Sequence, residues 1–230
     1  MGACVTRPAL SIIVPVLNEA PGIEATLGAL APYRQRGAEV IVVDGGSDDG
    51  TPAKAQPHAS AVLAAARGRA RQMNAGAAQA HGNVLLFLHA DTQLPPEADR
   101  LILASLNSGA CWGRFDVRIT GTAPMLRVVA ALMNARSRWS GVATGDQAMF
   151  VRRDMFERTG GFPDQPLMED VELSKRLRRL ARPACLRAKV ATSGRRWETR
   201  GVWRTIFLMW RLRWRYWRGE SAHHLAEAYR

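Results

Sequence analysis

Two rhythms of apolar residues run along this chain. Near-continuous apolar stretches at Leu10–Val16 (LSIIVPV), 38–46 (AEVIVVDGG), 60–66 (SAVLAAA) and 83–91 (NVLLFLHAD) predict strands, the last of them buried on both faces. Amphipathic spacing at 22–33 and 70–80, and the DGTPAKAQ stretch at 49–56, predict helices between them. This alternation predicts a parallel sheet covered by helices on both faces. Beyond Pro95 the order loosens. There the pattern predicts a helix at 97–106, an alternating strand at 110–120, a long apolar helix at 123–139 and a short strand at 146–153. A helix over Met168 to Ala181 follows, with Leu173, Leu177 and Leu180 as its core stripe. No Gly-Ser or Pro-rich linker interrupts the chain, so a single domain is expected, ending in a Trp- and Arg-rich tail.

Composition narrows the class. The 230 residues are 47% apolar, enough to bury a core. No run of eighteen uncharged apolar residues predicts a membrane span, and the N-terminus lacks a signal-peptide profile. Gly2 does not open a convincing myristoylation motif. Cys4, Cys111 and Cys185 are odd in number and lack metal-ligand spacing, which suits reduced, mostly buried thiols of a cytoplasmic protein. The net charge of +12 comes almost wholly from arginine and predicts an anionic partner: phosphate, nucleic acid or acidic lipid.

Three carboxylate stations carry the candidate chemistry. In VVDGGSDDGT, Asp44 closes a strand before a Gly-rich turn, where a carboxylate can meet a ribose or base, or Asp48 or Ser47 can cap the next helix. In HAD, Asp91 stands at the carboxyl end of a buried strand, the ligand-binding edge of an open parallel sheet. One carboxylate there suits a hard divalent cation shared with substrate phosphates. In MED, Glu169 and Asp170 start a helix, where the macrodipole favours carboxylates and a general base can be held ionised. Gly160 and Gly161 allow the preceding turn to bend sharply.

Together these stations resemble the family 2 glycosyltransferases of GT-A fold. SIIVPVLNEA resembles their opening strand and loop, and VVDGGSDDGT their V-D-D-G-S-x-D-x-T, with Gly45 in place of the second Asp. Residues 68–92 resemble the segment running to the metal-binding D-x-D, with His89 at its first position. Residues 145–162 followed by MED resemble the acceptor-side strand and the E-D motif of the catalytic base. The resemblance implies an α/β fold with a Rossmann-like, mostly parallel central sheet flanked by helices. It implies a donor half over about 10–95 and an acceptor half over about 96–201. Pro15, Val16, Asn18 and Glu19 would line a nucleotide pocket and Asp44 would contact base or ribose. Arg69 and Asn74 would face the nucleoside or diphosphate, and Asp91 would hold Mg2+ or Mn2+. Asp170, with Glu169 beside it, would take the acceptor's proton during inverting transfer from a nucleotide-sugar, a UDP-sugar first among candidates. The Q-x-x-R-W motif of processive synthases is absent, which implies transfer of one or few sugars. GRRWE at Gly194 to Glu198 resembles only its tail, leaving Arg195 and Arg196 to neutralise phosphate.

Residues 202–230 form a separate expectation. On a helical wheel Trp203, Ile206, Phe207, Trp210, Trp214 and Trp217 share one face, flanked by arginines, with Leu208, Met209 and Leu212 opposite. That predicts an aliphatic face docked on the domain and an aromatic face in a headgroup layer at the inner side of the cell membrane. The acceptor would then be a hydroxyl or carboxyl compound, a lipid included, with Leu126, Val129, Leu132 and Met133 as its apolar groove. A nucleotidyltransferase is the alternative enzyme, but PVLNEAPG lacks the Gly-rich, basic triphosphate loop. A non-catalytic nucleic-acid-binding protein explains charge and tail but leaves the acidic stations without purpose.

Overall fold

The computed structural model describes residues 8–229, so Gly2 and Cys4 lie outside the described residues. Eight strands form one sheet: β1 (Leu10–Val16), β2 (Glu39–Asp44), β3 (Ala61–Ala64), β4 (Val84–Phe87), β5 (Thr92–Gln93), β6 (Trp112–Thr120), β7 (Phe150–Arg152) and β8 (Ala184–Ser193). Their spatial order is β3-β2-β1-β4-β7-β6-β8-β5. The first four are parallel, as the alternating pattern predicts. β7 enters antiparallel between β4 and β6, while β8 lies parallel to β6. The helices are α1 (Ile23–Gly28), α2 (Ala31–Gln35), α3 (Thr51–Ala55), α4 (Arg69–Gln79), α5 (Ala98–Asn107), α6 (Met125–Ser140), α7 (Arg153–Arg158), α8 (Glu169–Leu180), α9 (Arg195–Arg200), α10 (Val202–Trp217) and α11 (Ala222–Tyr229).

Alternation along β1 feeds two cores. Ile12, Val14 and Val16 face a layer containing Ile23 and Leu27 of α1, Ile102 of α5 and Leu126 of α6. Ile13 faces Ala70, Met73 and Ala77 of α4, with Phe156 of α7 and Leu173 and Leu177 of α8. Each fully buried side chain of this size contributes roughly 1.5–3 kcal/mol before entropy is subtracted. Helix α4 lies unusually close to the sheet. A Cβ on Gly76 would come within 2.5 Å of Ile13 Cγ2, so the absent side chain sets the height of α4 above the strand ends.

Several expectations are corrected. Leu180 is 46% exposed, because α8 turns its last residue off the core. The 22–33 segment breaks into α1 and α2, and the β4 ladder stops at Phe87. Cys111 and Cys185 are half-buried free thiols. Neither Ser47 nor Asp48 caps α3. Asp49 instead accepts from the Thr51 N–H and hydroxyl and the Ala20 N–H, which ties the loop after β2 to the loop after β1.

The tail, expected as one helix over 202–230, divides into α10 and α11, and the aliphatic side of α10 packs on the rest of the chain. Leu212 is fully buried against Leu167, Met168 and Val171, with Leu225 of α11 completing the cluster. Trp203, Phe207, Trp210, Trp214 and Trp217 are between 58 and 76% exposed. Ile206 departs from them and packs inward. Among the described residues no helix is long and apolar enough to cross a membrane.

Candidate active site

The order β2-β1-β4 places a chain reversal at β1, and the carboxyl ends of β1 and β4 open onto one cleft of about 1040 Å³. Pro15, Val16, Leu17 and Glu19 line it from the end of β1, and His89, Ala90 and Asp91 from the end of β4. Gln72 of α4 buries its amide there and donates to the carbonyls of Val16 and Val43, both at 2.8 Å, locking the two strand ends together. A Cβ at position 45 would meet that amide at 3.0 Å, so an Asp there, as in the pattern the loop resembles, would press on Gln72. The glycine and the glutamine belong together.

Five predicted residues lie outside the lining of the main cleft: Asp44, Asn18 and Asn74 are spent on loops, and Glu169 and Asp170 line a smaller void beside it. Asp44 is buried and turned into its own loop: its carboxylate accepts from the N–H groups of Gly46 and Ser47 and from the Ser47 hydroxyl. Asn18, in the left-handed region at φ 55, is exposed; it accepts from the Asp48 N–H and donates its own N–H to Ser47. Asn74 donates to the Phe162 carbonyl at 2.8 Å and accepts from the Phe162 N–H at 3.0 Å, so both ends of its amide hold the loop before α8.

Asp91 stands exposed in the cleft, with a 3.2 Å bond from the Thr92 hydroxyl. Its backbone carbonyl accepts from Ser193, and the Thr92 and Thr192 hydroxyls bond at 3.0 Å, stapling the end of β8 to this station. The staple delivers Arg195 and Arg196 to the cleft wall. Glu19 feels the same surroundings: burial raises its carboxyl pKa, Arg195 opposes this, and the charges of Asp91 and Asp49 add to it. Two carboxylates thus share this end of the cleft. Among the described residues no three His, Cys, Asp or Glu side chains cluster to hold a metal alone.

His89 points across to Asp146, with Nδ1 3.4 Å from its carboxylate. Gly145 makes room, since a Cβ there would sit 2.4 Å from His89 Nε2. Burial pushes the Asp146 carboxyl up, but His89, Arg69 and Arg196 outweigh it and hold the pKa below the usual range. At the start of α8, Glu169 is buried with Arg69 at 3.4 Å. Burial and the neighbouring Asp170 raise its pKa, and Arg69 opposes them. The Asp170 carboxylate accepts from the Gly145 N–H at 2.6 Å and the Val171 N–H at 2.6 Å, and lines a small void beside His89 that adjoins the main cleft.

The opposite wall comes from α6 and α10. Val129, Leu132 and Met133 of α6 line it with Ile206, Met209 and Trp210 of α10. Leu126, expected with them, is buried in the core. The sequence reading missed Asp146, Gln72, Arg136 and Arg213, all in the lining. Arg213 stood on the flank of the tail's wheel and Asp146 within the 145–162 segment, but neither was read as a site residue; Gln72 and Arg136 belong to no acidic station or repeated spacing, so no local signal marked them.

Comparison with known proteins places these features in context. The model of glycosyl transferase family 2 matches residues 11–161, well over half the chain. The Bacillus subtilis (strain 168) protein called probable glycosyltransferase YdaM is 28% identical over 239 positions, covering 93% of this chain and 56% of its own. The S. aureus TarS 1–349 structure in complex with UDP-GlcNAc superposes with a TM-score of 0.65 at 19% identity, over 80% of this chain and 58% of that one. The mannosyltransferase PcManGT from Pyrobaculum calidifontis, in complex with GDP-Man and Mn2+, gives 0.61 at 22%, over 81% and 57%. The chain spans little more than half the length of each.

Proposed function

The chain belongs to glycosyl transferase family 2, and on that premise we propose that the cleft moves one sugar from a nucleoside-diphosphate donor to an acceptor hydroxyl or carboxyl, with inversion. The observation carrying this is the convergence of the β1 and β4 ends with Arg69, Arg195 and Arg196 on one side of a cleft whose other wall is apolar apart from Arg136 and Arg213. The family assignment and the acidic stations leave the nucleotidyltransferase and nucleic-acid readings without support. The donor is taken as a UDP-sugar by likeness to the UDP-GlcNAc-bound neighbour, and the GDP-Man complex makes GDP-sugars the next candidate.

Pro15, Val16 and Leu17 hold the nucleoside, with Gln72, Asn18 and Asp44 fixing the loops around it. Arg69, Arg195 and Arg196 attract the diphosphate. Asp91 would hold Mg2+ or Mn2+, a hard cation that so few carboxylates bind only together with substrate phosphate, and Glu19 would stand at the same end of the cleft. When bound, that ion stabilises the negative charge of the departing nucleoside diphosphate. Asp170, held by two N–H donors, accepts the proton as the acceptor oxygen bonds to the anomeric carbon and the carbon–phosphate-oxygen bond breaks on the opposite face. Glu169 and Arg69 position it. The exposed aromatic face of α10, with Trp139 and Leu132 of α6 also exposed, supports docking at a membrane surface from which a lipid acceptor enters.

The test is a thermal-shift panel of UDP-, GDP- and dTDP-sugars with and without Mn2+. A metal-dependent rise is expected for at least one donor, largely abolished by Asp91→Ala. No shift from any donor would refute the reading.

A further inference from the structure

Among the described residues, two arginines in the cleft have neither a hydrogen-bond nor a salt-bridge partner. Arg136 of α6 and Arg213 of α10 both line the apolar wall. Arg136 Nε and Nη2 and Arg213 Nε are buried with no hydrogen-bond acceptor. Neither guanidinium is among the salt bridges of the described residues, although the charges of Asp170 and Asp146 reach Arg213 and that of Asp170 reaches Arg136. Burial lowers the pKa of Arg136 to about 10, with the charge of Arg213 adding to the effect. Two cations facing one cavity with unmet donors are an unstable arrangement unless an anion joins them.

The surroundings of Arg136 differ from those of the donor side, while Arg213 shares the charge of Asp146 with it. Arg196 senses Arg69, Arg200, Asp146 and Asp91, the groups around the β4 end. Arg136 senses Arg213, Asp170 and Arg114 instead. Leu132, Met133, Met209 and Trp210 complete the wall around the pair. A guanidinium fork matches phosphate or carboxylate geometry, and the flanking apolar side chains favour a hydrocarbon body.

We propose that Arg136 and Arg213 form an oxyanion subsite that seats a phosphate or carboxylate of the acceptor, with the acceptor's apolar body along α6 and α10 and its reacting oxygen toward Asp170. This rests on the reading of the cleft as a glycosyl-transfer site. It makes the acceptor an acidic molecule, and α10 part of the acceptor pocket as well as a surface helix.

The test is calorimetric titration with octyl phosphate, octanol and inorganic phosphate, in the presence of Mn2+ and whichever of UDP or GDP stabilises the protein. Octyl phosphate is expected to bind the wild type and to bind Arg136→Met and Arg213→Met at least tenfold more weakly. Nucleotide affinity should stay within twofold, and Tm should not fall, because each substitution removes an unpaired buried charge. Octyl phosphate binding far more tightly than inorganic phosphate would mark a lipid-like acceptor, and equal binding a small soluble phosphate; both support the subsite. Equal binding by wild type and the double variant would overturn it. So would displacement of the nucleotide by octyl phosphate, which would return both arginines to the donor diphosphate. A lower Tm with loss of every ligand would make them structural. Failure of nucleotide to bind the wild type would instead strike the glycosyl-transfer reading itself.

Discussion

Asn74→Ala separates what a motif implies from what the fold does with it. The resemblance sets Asn74 facing nucleoside or diphosphate, whereas the fold spends its amide on the backbone N–H and C=O of Phe162. Phe162 is buried and packs edge-on to Phe87 at 4.8 Å and near Phe156 at 5.7 Å, so the clamped residue is also a core residue. Truncation leaves one donor and one acceptor unpaired. Each costs about 1–3 kcal/mol when buried, and the partial exposure of this pair argues for the low end, about 2 kcal/mol in total. For a chain of this size that is roughly 4–8 °C in Tm. Donor affinity should change less than threefold, because Asn74 is not in the cleft lining. Thermal unfolding and nucleotide titration on the same samples give both numbers. An unchanged Tm with donor affinity down tenfold or more would refute the reasoning and restore Asn74 to the ligand.

Three further outcomes follow from the site. Asp170→Asn keeps an oxygen for the Gly145 N–H, so donor binding should persist while kcat falls by roughly 10²–10⁴; retained turnover removes Asp170 as the base. Glu169 has a folded pKa raised by burial and Asp170. Its contribution to stability is therefore full below the ordinary carboxyl range and is lost as pH rises toward the raised folded value. The Tm of Glu169→Gln should thus gain on the wild type between about pH 4 and neutrality, and parallel curves would exclude this. Finally, Trp203, Trp214 and Trp217 are exposed. Replacing all three with Ala should leave Tm within a few degrees and weaken sedimentation with anionic vesicles roughly tenfold. Unaltered sedimentation would reject the surface-anchor role.

What lay in the sequence was whatever periodicity and local chemistry can carry. LSIIVPV, EVIVVD and VLLF were legible as strands because each buries both faces and alternates with a helix. The tail's docked and exposed faces could be read from its wheel because a helix keeps its register along its length. Asp91 and the MED pair were legible because each marks the end of one element. Strand β8 was not: ACLRAKVATS carries Arg and Lys along a mostly half-buried strand, so its apolar signal is broken. The pairing of β8 with β5 nevertheless puts Arg195 and Arg196 opposite Asp91. Tertiary contact also decided which polar groups are spent on loops, as in Asp44 and Asn74, and which are left with unmet donors among the described residues, as in Arg136 and Arg213. A hydrogen-bond partner distant in sequence leaves no trace in the residues beside it. Which side chains are already satisfied is therefore a property of the folded chain.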